Sequence, residues 1–224
     1  MILTEPLAPI ANEKEMASNI DSVVKKLQRT KLYPALFLKA FGDSIITGEH
    51  TLKAISQFML TLISSNSKYD SVMRKQATFT EQEKNGYKLF KLNCSGCHQE
   101  PLFTNQQFEN NGLSVDVTLY DIGRMKITLD PNDSLKFKVP SLRNIEFSYP
   151  YMHDGRFKKL TDVLNHYTSG IQKSKTLSLK LEAPILLSSN EKVDIIAFLL
   201  TLTDKNFLFN SDFSYPKNLL LNRL

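Results

Sequence analysis

The sequence predicts a mainly α-helical protein, and three observations carry that prediction. Apolar residues recur at helical spacing through most of the longer segments. Cap residues stand at the starts of those segments, the clearest being the capping box Thr80-Glu81-Gln82-Glu83. Strand signals are few, and no internal repeat of fixed period appears.

The elements follow in order. Residues 1–16 read as irregular, because Pro6 and Pro9 exclude a long helix. From Ser18 the pattern turns helical: Ser18 or Asn19 can cap, and Ile20, Val23, Val24 and Leu27 share a face. Residues 33–42 read as a short helix stopped by Gly42. Thr51 is expected to open a helix with Leu52, Ile55, Phe58, Met59 and Leu62 on one side, and the polar run 64–68 reads as a linker. The capping box at Thr80 starts a helix through Gly86, Tyr87, Leu89 and Phe90 to Asn93. Residues 99–136 read as loop, 137–144 as extended or turning around Pro140, and 149–156 as a further turn. Leu160 to Tyr167 reads as a helix, and Ser189 or Asn190 is expected to cap the last clear one, Glu191 to Leu202.

With 224 residues, the chain can form one or two domains and bury a substantial core. Hydrophobic residues make up 42% and charged ones 23%, the proportions of an ordinary globular protein. The net charge of +5 is scattered, and no basic run is interleaved with aromatics, so nucleic acid is not an expected partner. No apolar run reaches the length of a membrane span.

Asn93-Cys94-Ser95-Gly96-Cys97-His98 holds both cysteines and one of the four histidines. C-x-x-C-H reads as a site of covalent c-type haem attachment. Two thiols three positions apart on a turn can each add to one haem vinyl group, and the next side chain, His98, falls under the iron. A redox dithiol does not need the adjacent histidine. A zinc site usually takes four protein ligands, and no second cysteine pair exists to complete one. Covalent haem attachment takes place outside the cytoplasm, so an exported, periplasmic protein is expected. Met1-Ile2-Leu3-Thr4-Glu5-Pro6 lacks the charged and apolar regions of a signal peptide, and the expectation is that the signal lies outside this chain.

On the opposite face of the iron, the candidate ligands are His50, His153, His166, Tyr167 and the six methionines. A methionine thioether raises the potential of the iron, whereas a tyrosine phenolate lowers it. Segments 137–144 and 149–156 are rich in Pro, Arg, His and aromatics, as suits a pocket around a flat macrocycle. Arg143 or Arg156 would pair its propionates.

Several motifs now stand in a fixed order: the capping-box helix, Cys94-Ser95-Gly96-Cys97-His98, Asp121-Ile122-Gly123-Arg124, Phe137-Lys138-Val139-Pro140-Ser141-Leu142-Arg143-Asn144, and Tyr149-Pro150-Tyr151-Met152-His153-Asp154-Gly155. Together, over about residues 79–205, they resemble the C-terminal haem domain of bacterial diheme cytochrome c peroxidases, whose wider family includes the MauG-type enzymes. The resemblance implies cytochrome c-like helical domains with one haem c each. Residues 1–76 would be the remnant of the N-terminal, peroxidatic domain, 77–206 the C-terminal haem domain and 207–224 a tail.

What the resemblance implies about chemistry is specific. The C-terminal haem would receive electrons from a small donor protein, a cytochrome c or cupredoxin, and the N-terminal haem would reduce hydrogen peroxide to water. Splitting the O–O bond needs an acid–base group to move a proton between the oxygens. Asn12-Glu13-Lys14-Glu15-Met16 resembles the family's Asn-Pro-x-Glu-Met segment, which makes Glu15 the matching catalytic residue, with Glu13 in place of the proline. The family's assisting glutamine would fall at Glu5. Pro140, Arg143 and His153 match positions around the C-terminal haem, with Cys94 and Cys97 as anchors and His98 as the proximal ligand. The family's distal position lies fourteen residues beyond the histidine of the His-Asp-Gly turn, which here is Tyr167. Peroxidases carry methionine there and MauG-type enzymes tyrosine, so Tyr167 is the preferred ligand, with Met152 and His166 in reserve. A calcium ion held between the domains would take backbone oxygens of Ser148 and Pro150. The resemblance also allows a homodimer.

The chain departs from the pattern in carrying no second C-x-x-C-H, and it is expected to be part of a longer enzyme with two haems. It contains no tryptophan, so an inter-haem tryptophan is absent from this segment. A tyrosine ligand favours the alternative of MauG-like oxidation of an organic or protein substrate through high-valent haem. A further rival is a monohaem electron-transfer cytochrome c without catalysis.

Overall fold

A computed structural model describes residues 6–216. They form two compact units: one holds the described residues through Ile63 together with those from Phe209 onward, the other is Ser64–Leu208. Glu5 lies outside the described residues.

Among the described residues of the first unit are four α-helices, α1 (Leu7–Ala11), α2 (Ile20–Gln28), α3 (Leu32–Phe41) and α4 (Gly48–Thr61). Between Pro6 and Asn12 there is room for little more than a turn of helix, and α1 is five residues long. Asn19 caps α2, its side chain accepting from the Ser22 N–H. Gly42 ends α3 at φ 79°, the left-handed conformation that closes a helix at least cost in glycine. The fourth helix starts earlier than its apolar pattern indicates. Thr47 is the cap, accepting from His50 N–H, and Thr51 lies a turn inside, its hydroxyl donating to Thr47 O at 2.8 Å. Ile10, Leu32, Phe37 and Ile46 are the buried apolar residues here. Phe58, Met59, Leu60, Leu62 and Ile63, at the end of α4 and just beyond, keep 39–67% of their surface exposed.

The second unit packs around one aromatic cluster. Helix α5 (Lys68–Met73) leads to α6 (Glu81–Asn93), and α8 (Leu160–Asn165), α9 (Ser189–Leu200) and the short α10 (Lys205–Leu208) complete the helical frame. The 64–68 run, a linker by composition, is tied into this unit. Ser65 and Asn66 donate backbone N–H groups to the Asp204 carboxylate at 2.9 and 2.8 Å, and Ser67 forms a capping box with Asp70 at the start of α5. The expected capping box at Thr80 opens α6, while α9 is capped by Ser188 one residue before the expected position, because the acidic partner for the box is Glu191.

Helices α6 and α9 cross at Gly86. A Cβ there would lie 1.9 Å from the Asp194 carbonyl oxygen, so no other residue permits this approach. Phe90, Phe103, Phe198, Ile195 and Leu202 are fully buried beside the crossing, with Tyr69, Leu160 and Leu164 in the same cluster. Residues 99–136 are mostly loop but include the short α7 (Met125–Thr128) and β1 (Phe108–Glu109), which pairs antiparallel with β2 (Phe137–Lys138), Phe108 opposite Lys138. Sheet is otherwise confined to isolated bridges among the described residues, and the fold is mainly α.

After Asn165 the helix that begins at Leu160 does not continue regularly to Tyr167 but widens into a π-turn, His166–Gly170. The Thr168 and Ser169 hydroxyls satisfy the Asn165 carbonyl at 3.1 Å each, and the Tyr167 carbonyl accepts from Ile185 N–H at 3.3 Å. The extra residue in such a turn re-aims the side chains that follow it.

Candidate haem-binding site

Cys94 is the C-terminal cap of α6, its N–H donating to Phe90 O at 2.8 Å. The chain then folds back on itself. Cys97 and His98 both donate N–H groups to Cys94 O, at 3.2 and 2.9 Å, which puts two thiols and an imidazole on one turn. The thiols are free and half-buried. Burial, and then the neighbouring Cys97, push the Cys94 thiol up to about 12. Burial also raises Cys97, against the pull of the Lys180 ammonium, whose Nζ lies 3.7 Å from Sγ and 3.1 Å from Glu109 Oε1.

His98 Nδ1 faces two carbonyl oxygens, Phe103 O at 3.0 Å and Pro140 O at 3.2 Å. Carbonyls only accept, so Nδ1 carries the proton and Nε2 presents its lone pair. Among the described residues Nε2 has no hydrogen-bond partner. This is how a metal-ligating imidazole is oriented. Burial lowers the pKa of His98, more than the two carbonyls raise it, which keeps the ring in the neutral form that ligates.

Tyr167 lies in the π-turn, enclosed by protein yet with part of its surface accessible. Burial raises its phenol, the nearby Asn111 amide lowers it, and Cys94 and Cys97 raise it further. A pair of free thiols and an imidazole with a free Nε2, gathered on one turn, fit a c-type haem.

The other expected residues are placed as follows. Pro140 contributes its carbonyl to His98. Arg143, expected at a propionate, is instead committed to Asp70 by two bonds of 2.9 and 3.0 Å and to Pro101 O at 2.9 Å, with each charged side chain about 10% exposed. Burial opposes ionisation of Asp70, but the bonds from Arg143 and Ser67 outweigh it and hold the carboxyl below its ordinary range. Arg156 is likewise held, by Asp154 and by Ser114 O at 2.8 Å. His153 is exposed and stacked on Phe137, ring centroids 3.7 Å apart. His166 is buried, and its Nε2 donates to Asn111 O at 2.9 Å. Met152 Sδ accepts from Asn111 Nδ2 at 3.6 Å. Ser148 and Pro150 are exposed, and no group of three or more His, Cys, Asp or Glu side chains is placed to hold a metal among the described residues. In the other unit, Glu15 is exposed on the turn after α1 and accepts from Asn12 Nδ2 at 2.9 Å, and His50 stacks on Phe41. Asn111 and Lys180 carry no motif and were invisible to sequence reasoning. Only Asn110-Asn111-Gly112, a turn signal, marked the first.

A family model described as di-haem cytochrome c peroxidase (CCP_MauG) matches residues 3–78. The crystal structure of a MauG-like protein associated with microbial copper homeostasis superposes with a TM-score of 0.87 at 30% identity, covering 96% of this chain and 72% of that one. The chain belongs to the di-haem cytochrome c peroxidase/MauG family. Among curated members, methylamine utilization protein MauG of Methylorubrum extorquens is 34% identical over 200 residues, covering 87% of this chain and 56% of that protein. Cytochrome c551 peroxidase of Nitrosomonas europaea is 34% identical over 214 residues, covering 94% and 61%. The chain thus spans little more than half the length of these family members. The diheme peroxidase BthA of Burkholderia thailandensis shares the fold, with a TM-score of 0.73 at 19% identity over 93% of this chain and 65% of that one.

Proposed function

We propose that this chain serves a diheme peroxidase-type oxidoreductase that takes hydrogen peroxide as oxidant, and that unit Ser64–Leu208 carries its electron-handling haem c. Cys94 and Cys97 would form the thioether bonds, and His98 Nε2 and the Tyr167 phenol would be the protein ligands of the iron. Bound there, haem supplies a centre that takes up and passes on single electrons. The chain's own residues do the rest. Phe103 O and Pro140 O fix the imidazole plane and tautomer. The enclosing protein limits water at the phenol and at Cys94, which keeps both neutral until a bond forms. In the intact enzyme Glu15 would accept a proton from one peroxide oxygen and return it to the other. A small cytochrome c or cupredoxin in the periplasm is the proposed donor. The attachment chemistry supports an exported location, and no described helix is long and apolar enough to cross a membrane.

The observation that carries the reading is the turn that gathers Cys94, Cys97 and His98, with the His98 proton fixed on Nδ1 by Phe103 O and Pro140 O. A tyrosine at position 167 also favours a second reading, peroxide-driven oxidation of an organic or protein substrate, since an oxygen ligand lowers the potential and disfavours simple electron entry. Expression with haem-maturation machinery tests both. Covalent haem should survive denaturation in the wild type and be lost in Cys94→Ala/Cys97→Ala. Tyr167→Phe should change the ferric spectrum and raise the reduction potential; an unchanged spectrum rules out Tyr167 as ligand. Peroxide consumption coupled to oxidation of reduced cytochrome c supports the first reading, and consumption only with an organic reductant the second.

A further inference from the structure

The two carbonyls that face His98 Nδ1 come from segments far apart in the chain, Phe103 O at 3.0 Å and Pro140 O at 3.2 Å. One N–H shared between two acceptors keeps both only while those segments hold their spacing. Two hydroxyls tie them in a crossed arrangement. Thr104, next to Phe103, donates to Val139 O at 2.6 Å, and Ser141, next to Pro140, donates to Leu102 O at 2.6 Å. Each tie therefore lands on the residue just before a carbonyl that the histidine meets. Each hydroxyl oxygen also accepts a backbone N–H two residues on, from Gln106 at 3.0 Å for Thr104 and from Arg143 at 3.2 Å for Ser141. A hydroxyl has one hydrogen, and here it is directed across the gap.

The spacing matters because Phe103 is strained. Its side chain is fully buried, and its backbone stands at φ 55°, a conformation that non-glycine residues seldom adopt and that surrounding contacts must impose. Tyr69 packs edge-on against its ring, centroids 4.8 Å apart, which holds the side chain rather than the carbonyl. Ser141 and Leu102 are exposed, so water would serve both groups if they stood apart. The bond between them is not needed to satisfy either one. What it adds is a fixed distance between the segments.

We propose that Thr104 and Ser141 are positioning residues that set the electron-donating strength of the His98 imidazole, by clamping two carbonyls onto its Nδ1–H. An imidazole whose N–H is so engaged is a more basic ligand through its other nitrogen, which favours the ferric state. The proposal rests on the reading that His98 ligates the haem iron, and deepens it by naming the pair that tunes the ligand.

The test uses the haem-loaded chain and reads the reduction potential and the ferric electron paramagnetic resonance spectrum. Thr104→Val/Ser141→Ala is expected to shift the ferric–ferrous equilibrium about tenfold toward the ferrous form, a rise of about 59 mV. Each single variant should show part of that rise, and Ser141→Ala, at an exposed position, provides the comparison should the double variant fold poorly. Thr104→Ser and Ser141→Thr keep the hydroxyls and should keep the wild-type potential. Asp204→Ala weakens the same unit elsewhere and should leave the potential unchanged. Wild-type potentials in Ser141→Ala and in the double variant overturn the proposal. An equal rise in Asp204→Ala overturns it too, because general loosening would then suffice. An unchanged ferric spectrum in His98→Ala refutes instead the ligand reading beneath it.

Discussion

Replacing Gly86 by alanine separates two effects of opposite sign. On an exposed helix the change would add about 1 kcal/mol of stability through helix propensity. Here the new methyl would stand 1.9 Å from the Asp194 carbonyl oxygen, 2.5 Å from its carbon and 3.0 Å from Phe198 Cβ. An ordinary carbon–oxygen contact is about 3.3 Å, so the two helix backbones must part by about 1.4 Å. A gap of about 0.5–1 Å already forfeits a quarter to a half of the dispersion energy. Phe90, Ile195, Phe198 and Leu199 pack in the cluster at this crossing. At about 2 kcal/mol for each buried side chain, a loss of about a third amounts to about 3 kcal/mol. After the propensity gain, Gly86→Ala should destabilise the unit by about 2 kcal/mol. That corresponds to a melting temperature lower by about 4–8 °C, read by far-ultraviolet circular dichroism. A variant that melts at or above the wild-type temperature would refute the close approach of α6 and α9.

Arg143→Leu leaves the Asp70 carboxylate buried without its cation and should cost about 3 kcal/mol in denaturant unfolding. Asp70 is held low in the folded state, so its contribution is present above the unfolded value near 3.9 and is lost as pH falls through the lower folded value. Wild-type stability should therefore drop below about pH 4 more steeply than that of Asp70→Asn. Asp204→Ala strands the N–H groups of Ser65 and Asn66, and a loss of about 2–4 kcal/mol is expected by urea titration. If calcium binds at Ser148 and Pro150, added calcium should raise the melting temperature and a chelator should reverse it; no response in the intact enzyme would remove that site.

The legible parts of the sequence were those with a local physical signature. Capping boxes exist because a serine or threonine and an acid three residues on satisfy each other's backbone donors, so Thr80 marked the start of α6, while the same device at Ser67 was passed over in a run read as a linker. Thr47 was missed by four positions because apolar periodicity dates a helix from its apolar face rather than from its cap, and Ser188 by one because its box acid, Glu191, was not used to choose among neighbouring cap residues. The attachment turn was legible as a motif. The partners that orient it were not, since Phe103 and Pro140 act through backbone carbonyls, which any residue supplies. The ion pair of Arg143 was not legible, because its acid, Asp70, lies 73 positions away in the chain. The π-turn had no signature at all, as it arises from Ile185 and the hydroxyls of Thr168 and Ser169.

The pinning of α6 at Gly86 has a further consequence for electron exchange. The helix that Cys94 caps is held against shifting, since its backbone rests directly on that of α9. A redox group tethered at the end of such a strut would find its surroundings almost unchanged when its charge changes. Little nuclear rearrangement would then accompany each electron gained or lost, and the barrier to transfer would be set mainly by distance and driving force.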